Sequence, residues 1–142
     1  MDEDSWPALV KTVTAEQITR FEQCAADLIG RPAAPTIHTD ATLAGAAGFA
    51  GPLAASGMVS VAFLNEYLRS RFGPAWHTDG HLSVAFVAPT RAGETITVDA
   101  TITDRQRVAD GEVVSLEVWC ANQDGRRATV GTAQVRIEES GS

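Results

Sequence analysis

Residues 54–74 read AASGMVSVAFLNEYLRSRFGP, the most apolar stretch of the chain. Met58, Val59, Val61, Ala62, Phe63, Leu64, Tyr67 and Leu68 cover almost every direction of a helical wheel, and a helix apolar nearly all round is a buried one. At roughly 18 residues such a helix is about 27 Å long, enough to cross a small domain. Phe72-Gly73-Pro74 ends it. Beyond Pro74 the apolar period changes to two. Leu82, Val84 and Phe86 alternate, then Ile96, Val98, Ala100 and Ile102, then Val114, Leu116, Val118 and Cys120, and finally Gly131, Ala133, Val135 and Ile137. Turn signals at Pro89 to Gly93, Asp110-Gly111 and Asn122 to Gly125 separate these sets. Helical material first and a strand meander afterwards is an α+β order, and one buried helix lying against an antiparallel sheet satisfies it.

Upstream, Ala8 to Val13 reads as a short strand. Thr14, three residues before Gln17, forms a capping box for a helix whose apolar positions are Ile18, Phe21, Ala25 and Leu28, with Gly30 as its stop. Arg31 to Ile37 holds Pro32 and Pro35 and has no periodicity, so it is a loop. Thr39 or Asp40 then caps a short helix over Ala41 to Ala47.

The 142 residues, 44% hydrophobic and 20% charged, are one domain's worth of sequence. The reading is a single domain over 1–142, with disordered ends at 1–6 and 139–142. Eleven basic against eighteen acidic side chains leave a charge of −7. Arg69/Arg71, Arg105/Arg107 and Arg126/Arg127 are scattered rather than clustered, which speaks against nucleic acid or an anionic membrane as partner. No apolar run reaches the ~18 residues of a membrane span. The acidic start MDEDSWP does not read as a signal peptide, so a cytoplasmic location is expected. Cys24 and Cys120 sit in apolar surroundings without CxxC spacing, and two buried free thiols are predicted.

His38 is the first candidate for chemistry. Pro35-Thr36-Ile37-His38-Thr39-Asp40 places an imidazole between a rigid turn and a capped helix, where a side chain is held yet accessible. Downstream, Ser56-Gly57-Met58 opens the long helix. A helix N-terminus presents unpaired amides and a partial positive charge, and glycine lets a carbonyl come close to them. The Gly57 amide is thus placed to stabilise enolate charge on a thioester carbonyl while an imidazole moves a proton at the adjacent carbon. Ser56 reads first as a helix N-cap, and Met58 follows it in the same junction. In Trp76-His77-Thr78-Asp79-Gly80-His81, an extended backbone would put His77, Asp79 and His81 on one face, a conceivable zinc set. The spacing matches no strong metal motif. No metal and no cofactor are called for, and Trp76 reads instead as an apolar wall at the pocket rim.

The strings PTIHTDATLAGAAGF (35–49), GPLAASGM (51–58) and LSVAFVAPTRAGETI (82–96) resemble the MaoC-like hydratase/dehydratase family of the hot-dog fold. The likeness runs over roughly residues 14–137 and is carried by the H-x-D of His38 and Asp40, the SGM at the helix start, and the F-x-x-P-x-x-x-G-E of Phe86 to Glu94. It implies a sheet wrapped around one central helix, two-fold pairing into a homodimer, and 3-hydroxyacyl or 2-enoyl thioesters of coenzyme A or acyl carrier protein as substrates. It also implies His38 as acid/base, the Gly57 amide on the substrate carbonyl, and Asp40, Ser56 and Met58 about the pocket. The family writes D-x-N-P-I-H where this chain has Ala33-Ala34-Pro35-Thr36-Ile37-His38, so Ala33 stands in place of the aspartate that pairs with the histidine. Asp27 and Asp40 are the nearby carboxylates. Ser56 stands where many relatives have histidine. The resemblance therefore implies a hydratase or dehydratase lacking its usual aspartate. The alternatives are a repurposed hot-dog enzyme (isomerisation, elimination or cyclisation) or the non-catalytic subunit of a heterodimeric dehydratase.

Overall fold

The computed structural model describes residues 5–31, 34–49 and 51–139. Strand β1 (Leu9–Thr12) leads into helix α1 (Ala15–Leu28) through the expected capping box. The Thr14 hydroxyl accepts from the Gln17 amide at 3.1 Å, and the Gln17 side chain accepts from the Thr14 amide at 3.2 Å. Only Ile18 of α1 is buried. Cys24, six positions further on, lies on a different side of the helix and is exposed, which corrects the expectation of two buried thiols. Cys120 is buried, and burial pushes its thiol up to about 12, so it is no nucleophile at neutral pH.

Helix α2 (Ala41–Ala46) is followed by α3 (Gly57–Phe72), α4 (Pro74–Asp79), β2 (Gly80–Phe86), β3 (Thr95–Val108), β4 (Gly111–Ala121) and β5 (Arg127–Glu138). The strands form one antiparallel sheet in the order β1-β3-β4-β5-β2. Leu64, Tyr67 and Leu68 of α3 pack against Ile96, Val98, Leu116, Val118 and Val135 of the sheet, each removed from solvent. A side chain of this kind stabilises the fold by about 2 kcal/mol when fully buried. The Tyr67 hydroxyl donates to Asp99 Oδ1 at 3.3 Å. Burial, reinforced by the Asp99 charge, raises its pKa and keeps it the donor.

Three expectations are corrected. The long helix is not covered all round: Ser60, Leu64, Tyr67 and Leu68 are buried, whereas Met58 is 55% exposed, because one sheet covers one side only. The strands are not a simple meander either, since β2 pairs with β5 rather than β3. The reason lies in the link between β2 and β3. The Val87 and Ala88 amides both donate to the Ala128 carbonyl, after which Thr90 to Ala92 is bonded to the loop before α3. There Ala55 donates to Thr90, Ala92 donates to Leu53, and Ala54 bridges Arg91. Third, Pro74–Asp79 is helical, so His77, Asp79 and His81 do not share an extended face.

The expected disorder of residues 1–4 and 140–142 falls outside the described residues. Glu139, expected within the disordered end, is held: its amide donates to the Asp110 carbonyl at 2.9 Å and its carboxylate pairs with Arg107. Among the described residues no helix is long and apolar enough to cross a membrane.

Candidate active site

His38 sits in a turn built by threonines. The Thr36 hydroxyl accepts from the His38 amide at 3.1 Å, the Thr39 hydroxyl accepts from the Thr36 amide at 3.0 Å, and the Thr36 carbonyl accepts from the Asp40 amide at 2.9 Å. The half-buried imidazole is fixed from the other side, with Nδ1 2.9 Å from the Ala54 carbonyl oxygen. A carbonyl oxygen can only accept, so Nδ1 carries the proton of this bond. Nε2 of the neutral ring is then left with the lone pair that a general base needs. Ala54 holds this position because its neighbours are bonded to the β2–β3 link. Ala55 N–H donates to Thr90 at 2.7 Å, and the Arg91 guanidinium donates to the Pro52 carbonyl at 2.6 Å.

The ring lines a cavity of about 530 Å³ together with Ile37, Phe49, Ser56, Gly57, Met58 and Phe86, above a floor that includes Ser60, Thr90 and Thr129. Gly57 is the first residue of α3, ahead of the helix's own hydrogen-bond ladder, where backbone amides are free to bind an oxygen. A Cβ on residue 57 would meet the Phe86 ring at 2.7 Å, so the ring closes on the Cα of Gly57 itself. The Ser56 hydroxyl accepts from the Met58 amide at 3.3 Å, making it the N-cap while it lines the cavity.

The remaining residues singled out in the sequence lie elsewhere. Asp40 does not line the His38 cavity; Oδ1 caps α2 by accepting from Thr42 at 2.8 Å and Leu43 at 3.1 Å. Trp76 is not at its rim. It is 5% exposed in the core, where its indole N–H donates to Asn65 Oδ1 at 2.8 Å, because the short helix α4 turns the ring inward. Asp27 is exposed at the end of α1, its carboxylate accepting from the Gln23 side chain. Ala33 lies outside the described residues. Among the described residues no carboxylate lines the cavity, and no cluster of three or more His, Cys, Asp or Glu is arranged to hold a metal ion. Thr36 and the Ala54 carbonyl, which orient His38, were missed in the sequence, although T-x-H-T is legible as a hydroxyl-bonded turn.

Asp40→Ala is expected to destabilise the protein by about 1 kcal/mol by removing the cap, and Asp40→Asn to restore most of it. Thermal unfolding of the two variants checks this. A larger loss of turnover than of stability in Asp40→Asn would place the carboxylate in the chemistry instead.

The family model described as "MaoC like domain" matches residues 9–124. No curated protein matches the chain in sequence. Among solved structures, the fold is shared with the (R)-hydratase PhaJ1 from Pseudomonas aeruginosa at 18% identity, over 94% of this chain and 80% of that one, with a TM-score of 0.72. It is shared with a MaoC-like dehydratase from Rhodospirillum rubrum at 22% identity, over 95% and 90% of the two chains, with a TM-score of 0.73. The ChsH1–ChsH2 complex from Mycobacterium tuberculosis gives 18% identity, 93% and 94% coverage and a TM-score of 0.71. The sheet with α3 laid against it is the hot-dog fold. With the match spanning residues 9–124 of 142, the chain belongs to the MaoC-like domain family.

Proposed function

We propose that this protein is an acyl-thioester hydro-lyase that adds water to a 2-enoyl thioester and removes it from the 3-hydroxyacyl form. The observation that carries the reading is the pairing, in one cavity, of an imidazole locked through Nδ1 to the Ala54 carbonyl with the free amide end of α3 at Gly57. In hydration, His38 Nε2 takes a proton from water as its oxygen bonds to carbon 3. The double-bond electrons move onto the thioester oxygen, where the Gly57 N–H stabilises the enolate. The imidazolium then returns a proton to carbon 2. One histidine performs both transfers, which suits a cavity without a carboxylate among its described residues. The carrier is coenzyme A or an acyl carrier protein, and a homodimer covers the exposed side of α3.

The missing carboxylate also favours a second reading, in which the chain is the non-catalytic subunit of a heteromeric dehydratase. The solved ChsH1–ChsH2 complex on the same fold is a precedent for assembly of two chains. Loss of conjugated enoyl absorbance when the purified chain is mixed with a short 2-enoyl-CoA separates the two. Turnover by the isolated chain supports the hydro-lyase. Background rates across several chain lengths would reject it in favour of the subunit.

A further inference from the structure

Three hydroxyls at the floor of the His38 cavity are not used by the chemistry above. Ser60, Thr90 and Thr129 are 2%, 5% and 1% exposed and line the cavity, and among the described residues no hydrogen bond is seen for their side-chain oxygens. They lie together. Cys120, the register partner of Thr129, has its Sγ 4.0 Å from the Ser60 carbonyl. The Thr90 carbonyl accepts from Ala55, the neighbour of the residue that holds His38. The mouth has the opposite character, with Ile37, Phe86 and Val87 at 38%, 53% and 58% exposure.

A polar floor below an apolar mouth is the wrong way round for a plain alkyl chain. Hydrocarbon seated on these hydroxyls would strip them of water and give nothing back, whereas an oxygen would pair with them. The depth is set by α3. Ser60 is three residues past Gly57, about 4.5 Å along the helix axis. That is the reach of an acyl chain to about its fourth or fifth carbon when its thioester carbonyl sits at the Gly57 amide.

Resting on the thioester reading of this cavity, we propose that its floor selects acyl groups bearing a hydroxyl or carbonyl oxygen at about the fourth or fifth carbon. Thr129 and Ser60 donate to that oxygen, and Thr90 borders it. The cavity is thus a specificity site for oxygenated acyl thioesters rather than simple fatty ones.

Calorimetric binding of two unreactive, similarly sized probes to the full chain tests this: 5-oxohexanoyl-CoA and 5-methylhexanoyl-CoA. The oxo compound is expected to bind about tenfold more tightly. Thr129→Val should bring the ratio to within about twofold, Ser60→Ala should lower it, and Thr129→Ser should keep it, with thermal unfolding confirming that each variant is folded. Equal binding of the two probes by the unaltered protein overturns the proposal while leaving the thioester reading intact. A preference untouched by both Thr129→Val and Ser60→Ala also overturns it. Failure of both probes to bind at all rejects the thioester reading and the proposal together.

Discussion

His38→Ala is expected to lower kcat on a short 2-enoyl thioester by about 10²–10⁴-fold, the contribution of a positioned general acid–base. KM should change far less, because the ring is one of many residues around the cavity and the Gly57 amide remains in place. The same substitution removes the bond to the Ala54 carbonyl, which costs about 1 kcal/mol of stability. A thermal unfolding curve therefore separates a folded but inactive variant from one that has lost the loop. His38→Gln adds a finer control, since its amide can donate to the Ala54 carbonyl but cannot take up a proton at neutral pH. It is expected to recover the stability and none of the rate. Turnover in His38→Ala within about threefold of the unaltered protein would exclude His38 as the base.

Gly131→Ala is expected to destabilise the sheet by about 3 kcal/mol, equivalent to a fall of roughly 10 °C in Tm. Gly131 is paired on both sides, with Val118 of β4 and Val84 of β2. An added Cβ would stand 2.1 Å from the Ser83 carbonyl oxygen and 2.9 Å from the Val84 Cα, so the backbone of β2 itself must move. A backbone displaced from its ladder partner loses hydrogen bonds as well as packing. Because β2 ends at Phe86 and β5 carries Thr129, the damage extends to the mouth and floor of the cavity. Calorimetric unfolding checks the magnitude, and a Tm within about 2 °C of the original would show that the strands separate without cost.

The periodicities in this chain are local properties, and they determined its elements. The change of period beyond Pro74 separated α3 from the strands, although the short helix α4 lies between them, and β2 to β5 lie where alternation and turn residues put them. The Thr14 capping box and the Asp40 cap are each built from atoms within three residues of one another, so they too were legible. The strings around His38, Gly57 and Phe86 to Glu94 likewise carried the family. What periodicity does not encode is which element meets which. The pairing of β2 with β5 depends on the Thr90 to Ala92 segment bonding to residues 53–55, far away in sequence. That pairing locks His38 to Ala54 and lays Phe86 on Gly57. Alternation marked Gly131 as inward-facing, but only the approach of Ser83 explains why a glycine stands there. Trp76 and the residues from His77 to His81 were misplaced because an extended run and a short helix start alike after Pro74. Burial of the Trp76 ring beside Asn65 selects the helix. The hydroxyls of Ser60, Thr90 and Thr129 come from a helix, a link and a strand. They form one polar floor only when the sheet closes against α3, because long-range packing brings together side chains that no local spacing relates.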